Sequence, residues 1–166
     1  MLFRSDGLSA TAYPSGVKGT PVEIAEQIMP VIFWRKQYRE DSAGAGRTRG
    51  GLGQEIEIAS RIGQPFELLA AFDRIDHPPR GKDGGGNGEA AYVGLKSGKT
   101  LKGKGFQLIP ADDRLVIMTP GGGGLGKPSE RAPEAVALDL AEGRISKRTG
   151  RDVYGASAAR PSPKRK

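Results

Sequence analysis

Between two apolar runs, residues 41–53 read Asp-Ser-Ala-Gly-Ala-Gly-Arg-Thr-Arg-Gly-Gly-Leu-Gly, with five glycines and two arginines. Glycine at that density weakens both helix and strand, so the stretch is a long, backbone-rich loop. The run before it, Val31-Ile-Phe-Trp34 with Arg35-Lys-Gln-Tyr38, predicts a β-strand. The run after it, Gln54-Glu-Ile-Glu-Ile58, alternates with period two, as a half-buried strand does. A loop between two strands needs so many glycines for a left-handed φ at several positions or for close approach of another backbone. Gly50, Gly51 and Gly53 are accordingly read as structural. Arg47 and Arg49 carry two readings, holding a carboxylate or phosphate, or bracing the loop internally. With Asp41 they form the candidate anion or subunit contact. Local pattern alone favours a plain hairpin connection.

A second cluster, Pro120-Gly-Gly-Gly-Gly-Leu-Gly-Lys-Pro128, matches most of a phosphate-binding loop through Gly121, Gly126 and Lys127. That motif requires Ser or Thr after the lysine and a helix whose first N–H groups face the phosphates. Pro128 takes the hydroxyl position, and the next helix signal starts a turn too late, near Pro133. Gly121, Gly122, Gly123 and Gly124 are instead read as a tight structural turn that lets backbones pack closely.

The remaining pattern is mainly β, of α+β type: a glycine-rich sheet or sandwich of seven or so short strands with a small C-terminal helical segment. Residues 1–20 read as loop, 21–128 as the β-rich domain, 129–155 as the helical segment and 156–166 as a basic disordered tail. Pro21 to Ile28 fits a short helix or an extended strand, stopped by Pro30. Phe66–Phe72 fits a buried strand or a short helix, and residues 73–88 form a loop. Short strands follow at Ala90–Leu95, Thr100–Lys102 and Gly105–Ile109, with the clearest at Arg114–Thr119. A helix starts near Pro133, carries apolar Val136, Leu138 and Leu140, and ends before Gly143. A shorter one after Ser146 ends at Gly150.

Charge is the feature most apt to mislead. The chain carries a formal +7, but Arg160, Lys164, Arg165 and Lys166 supply four of those charges, which leaves +3 for the rest. A solvated basic end accounts for this, so nucleic acid is disfavoured as a partner. Lys96, Lys99, Lys102 and Lys104 likewise read as a solvated hairpin face. Without cysteine, disulfides and thiolate metal sites are excluded, which fits a reducing cytosol. The N-terminus has no signal-peptide core, and the longest apolar run, Ile28–Trp34, contains Pro30 and cannot span a membrane. His77 lies in a Pro-flanked loop and, as the single histidine, makes no autonomous zinc site. No serine sits in a nucleophile elbow, and Asp112-Asp113 mark a turn. From residue chemistry, neither a catalytic set nor a metal site is complete in this chain.

Three blocks in order carry a resemblance: Asp41–Gly53, Thr119-Pro-Gly-Gly-Gly-Gly-Leu-Gly126, and Glu130-Arg-Ala-Pro-Glu-Ala-Val136 through to Asp152-Val-Tyr-Gly155, with Thr20–Ile24 as the approach to the first. Over about residues 7–155 the chain resembles the C-terminal end of the hydantoinase B/oxoprolinase family. Lys127, where that family usually has an acidic or amide residue, departs from the pattern, as does the tail. The resemblance implies a truncated part or small subunit of an ATP-dependent cyclic-amide hydrolase, inactive alone. It further implies ATP and a divalent metal for the complete enzyme, none of them in this chain, and a hydantoinase A-type partner. The missing N-terminal portion would then hold most metal and substrate groups, and its loss would leave an apolar surface exposed. The alternative is a non-enzymatic basic protein binding nucleic acid through its C-terminal tail. A third reading takes Met1 as an internal start.

Overall fold

In the computed structural model, which describes residues 5–10 and 19–156, regular structure begins with a helix, α1 (Val22–Ile28). This settles the helix-or-strand choice at Pro21–Ile28. Ala25 is buried, and the Glu26 carboxylate accepts the Phe33 N–H at 2.6 Å, which fixes the helix to the strand that follows.

Six strands follow among the described residues: β1 (Val31–Tyr38), β2 (Gln54–Ser60), β3 (Phe66–Ala71), β4 (Tyr92–Leu95), β5 (Lys104–Ile109) and β6 (Arg114–Met118). The mainly β expectation holds, with one strand fewer than the pattern implied. Thr100–Lys102 forms no strand, and Thr100 makes only an isolated bridge to Gly94. Phe66–Ala71 is strand and not helix.

Two antiparallel sheets result, one ordered β1-β2-β6-β4 and one made of β3 and β5. Their facing sides share one core. Val93, Leu95 and Leu115 from the larger sheet meet Ile109 from the smaller, with Ile58, Phe66, Leu68 and Ile117 packed around them. In β2 the alternation has an exception to its simplest reading, because Glu57 is 2% exposed. Arg114 at 2.8 Å and Lys96 at 3.4 Å hold its carboxylate. Burial alone would raise that carboxyl, but these cations, the Arg114 hydrogen bond foremost, keep it below its ordinary range.

The C-terminal segment starts with a 3-10 turn at Pro128–Glu130, then α2 (Pro133–Ala141) and α3 (Lys147–Asp152). Pro133 opens α2, and Gly143 follows it with a φ of 65°. Ser146 caps α3 by accepting the Thr149 N–H at 3.1 Å. Gly150 does not end α3: it is buried, and its missing side chain leaves room for Leu140 of α2.

Candidate functional site

Three glycine-rich segments, residues 42–53, 79–89 and 119–126, come together beyond the ends of the larger sheet. Each bonds to both others. Gly44 N–H donates to the Gly122 carbonyl at 2.8 Å, Gly86 N–H to Ala45 at 2.7 Å, and Gly124 N–H to Gly86 at 2.9 Å. Three strands in a flat sheet cannot do this, since the outer two would lie two strand spacings apart. The arrangement is a three-sided bundle with backbone at its centre, which excludes side chains there as any such close packing does. None of Gly44, Gly46, Gly50, Gly51, Gly53 or Gly121–Gly124 has a left-handed φ. Of the two reasons a loop takes glycine, close approach is therefore the one at work. A Cβ at Gly50 would overlap the Gly122 carbonyl, and one at Gly121 the Ser42 carbonyl. The residues from Gly121 to Gly124 are thus packed segment and not turn, and residues 79–89, read simply as loop, are the third side.

This packing also answers the phosphate question. The amides of Gly121, Gly122, Gly124, Leu125 and Gly126 donate to the carbonyls of Glu89, Gly51, Gly86, Thr48 and Lys82. A phosphate cradle needs those N–H groups free. The segment does not fit a nucleotide phosphate. Among the described residues no group of three or more His, Cys, Asp or Glu side chains is placed to hold a metal ion, and His77 lies exposed in its loop.

One face of the bundle is pinned by buried charges. Asp139 of α2, 1% exposed, accepts from Arg131 at 2.7 Å and from Arg49 at 3.3 Å on the same oxygen. Arg131 also grips Asp6 through two parallel bonds of 2.7 Å. Asp6 in turn accepts the Arg49 backbone N–H at 2.8 Å. Burial raises the Asp6 carboxyl, but the Arg131 contacts and the Arg49 amide outweigh it and leave it below the ordinary range. The Arg131 guanidinium is pushed up, first by its hydrogen bond to Asp6. Arg144 lies 3.5 Å from the other Asp139 oxygen and pairs with Glu142, so three cations and three anions cancel. A cleft of about 420 Å³ opens beside them, walled by Asp6, Ser9, Tyr38, Arg49, Glu142 and Arg144, again with balanced charge.

The sequence candidates separate in space. Arg49 is buried, holding Asp139 and donating to the Gly50 carbonyl at 2.5 Å. Arg47 is exposed, 3.7 Å from Glu130. Its amide donates to the Gly126 carbonyl, and the Gly126 amide to Lys82, so Arg47, Lys82 and Lys127 meet at one end of the bundle. Asp41 sits elsewhere, with a φ of 60°, and accepts the Ser146 N–H at 2.8 Å ahead of α3. Burial raises its carboxyl, and the Ser146 and Thr149 bonds bring it below the ordinary range.

Sequence reasoning missed Asp6, Arg131 and Asp139. For Asp139 a signal existed: it lies three residues after Val136, on the same helical face, while Leu138 points away and is half exposed. Asp6 and Arg131 gave none, because their partnership joins positions 125 apart.

Fold and site together define a β-sheet pair carrying a backbone-built scaffold. The chain belongs to the hydantoinase B/oxoprolinase family, whose profile matches residues 3–128. It is 40% identical to 5-oxoprolinase 1 of Arabidopsis thaliana over 111 residues, covering 64% of this chain and 9% of that protein. It is 28% identical to the B component of a putative D-/L-hydantoinase of Pseudomonas sp. (strain NS671), covering 93% of this chain and 27% of that protein. The latter match reaches past Pro128 into the helical segment. Among solved structures, nucleotide-free acetone carboxylase superposes with a TM-score of 0.72 at 24% identity, over 91% of this chain and 25% of that chain. ATP-dependent caprolactamase from Pseudomonas jessenii does so at 0.68 and 24%, over 81% and 24%. The chain thus spans about a quarter, or less, of the proteins it resembles.

Proposed function

We propose that this chain is one part, a fragment or small subunit, of an ATP-dependent cyclic-amide hydrolase of the hydantoinase/5-oxoprolinase type. In this reading it corresponds to the C-terminal end of the family polypeptide and turns over no substrate by itself. Its fractional match to the Pseudomonas sp. hydantoinase component carries the reading. The geometry supports a scaffolding role: the bundle's amides bond to its own carbonyls, and the buried arginines hold this chain's own carboxylates. ATP and the divalent metal act through other portions of the assembly, including a hydantoinase A-type partner. Arg47, Lys82 and Lys127 are exposed cations offered to that partner, while Asp41 lies apart from them and orders the start of α3. The absence of cysteine fits a cytoplasmic setting.

The test is direct. The purified chain, given ATP, magnesium and 5-oxoproline or hydantoin, should release no product and no phosphate. Turnover by the chain alone overturns the proposal. Among the described residues no helix is long and apolar enough to cross a membrane. Residues 160–166, on which the nucleic-acid alternative rests, lie outside the described residues.

A further inference from the structure

The smaller sheet is apolar on both faces. Register pairs Phe66 with Ile109, Leu68 with Gln107 and Ala70 with Gly105 toward the core. It pairs Glu67 with Leu108, Leu69 with Phe106 and Ala71 with Lys104 on the opposite side. There Leu69, Phe106 and Leu108 are 64%, 76% and 62% exposed. Strands buried on one face alternate apolar with polar, whereas strands buried on both read as near-continuous apolar runs. Phe66-Glu-Leu-Leu-Ala-Ala71 is of the second kind. A two-stranded sheet is also marginal without cover.

The outer face has the anatomy of an interface. Leu69, Phe106 and Leu108 form an apolar centre, with Glu67 at one end and Lys104, 2.6 Å from Asp73, at the other. The exposed edge of the larger sheet is built differently. β1 is bulged between Phe33 and Arg35 and studded with Arg35 and Lys36, while Arg114 lies 4.0 Å over the Trp34 ring. Those are devices that discourage pairing. The β3–β5 face carries charge only at its two ends, and its strands pair without a register shift.

We infer that the outer face of β3–β5, centred on Leu69, Phe106 and Leu108, is the docking surface for the remainder of the family polypeptide, which covers it with an apolar strand or helix face. The occupant follows from length: this chain accounts for 27% of the Pseudomonas sp. hydantoinase component and about a quarter of each superposed structure, so most of the polypeptide lies outside it. The inference rests on the reading that the chain is part of that larger protein.

The experiment co-expresses the full chain, tagged, with the region of the Pseudomonas sp. hydantoinase component that it does not match. Affinity is measured for wild type and for Leu69→Asp and Phe106→Asp. Capture of the region by wild type, with at least tenfold weaker binding by both variants, is expected. Ile62→Asp, altering a side chain 60% exposed in the turn between β2 and β3 and outside both strands of the smaller sheet, should bind as wild type does. Melting temperatures of the variants, and slowed hydrogen exchange across residues 66–71 and 104–109 in the wild-type complex, separate a lost contact from a lost fold. Wild-type capture with undiminished binding by Phe106→Asp and no slowed exchange overturns this inference and leaves the proposed function standing. No capture of wild type overturns both. A wild-type dimer that Phe106→Asp converts to monomer makes a second copy the occupant and overturns it too.

Discussion

A methyl group at position 121 would lie well inside 3.0 Å of the Ser42 carbonyl, and neither backbone has a flexible end to yield. Gly121→Ala should therefore destabilise the chain by about 3 kcal/mol or more. Gly19→Ala, where a Cβ meets nothing within 4 Å, should shift stability by less than about 0.5 kcal/mol. Urea midpoints for the two variants check both. At Asp139 the loss is of charge. Asp139→Ala would remove the buried carboxylate that Arg49, Arg131 and Arg144 share and leave Asp6 as the remaining anion beside Arg49 and Arg131, an expected cost of about 3 kcal/mol. Asp152→Ala, whose partner Arg151 is exposed, should cost about 0–1 kcal/mol. Thermal denaturation of both variants distinguishes a buried network from a surface pair.

At the scale of elements, β2 and β6 carry a built-in acid sensitivity. Glu57 is held below its ordinary pKa, chiefly by the Arg114 hydrogen bond. The unfolded chain then binds more protons than the native one as pH falls, so this stabilisation is complete above the ordinary glutamate value of about 4.3. It is lost as pH drops through the lowered native value. Stability should fall as pH drops below about 5, and Arg114→Leu should flatten that fall. The single tryptophan provides the readout, because Arg114 also covers Trp34. A slope unchanged by Arg114→Leu would remove Glu57 as its source. The helices show the same dependence on neighbours. α2 was readable from Pro133 and Gly143, whereas the length of α3 was not, since Gly150 reads as a stop until Leu140 is seen packed on it.

For the whole molecule, the sequence by itself determined the strand-rich class, most strand positions and the family. Period-two alternation and proline or glycine punctuation are local signals, and the three ordered blocks need no structure to be matched. It also determined that Gly121-x-x-x-x-Gly126-Lys127 is no phosphate loop, because Pro128 alone breaks the motif. Only the tertiary structure decided how the strands divide between two sheets, since β2 pairs with β6 and β3 with β5 across long separations. It alone decided that the glycine clusters assemble with residues 79–89 into one bundle, and that Arg49 meets Asp139 while Arg47 faces outward. The physical reason is common to all of these. Backbone close approach, buried charge pairing and an apolar face left uncovered are relations between segments far apart in the chain, and no single stretch of residues encodes them.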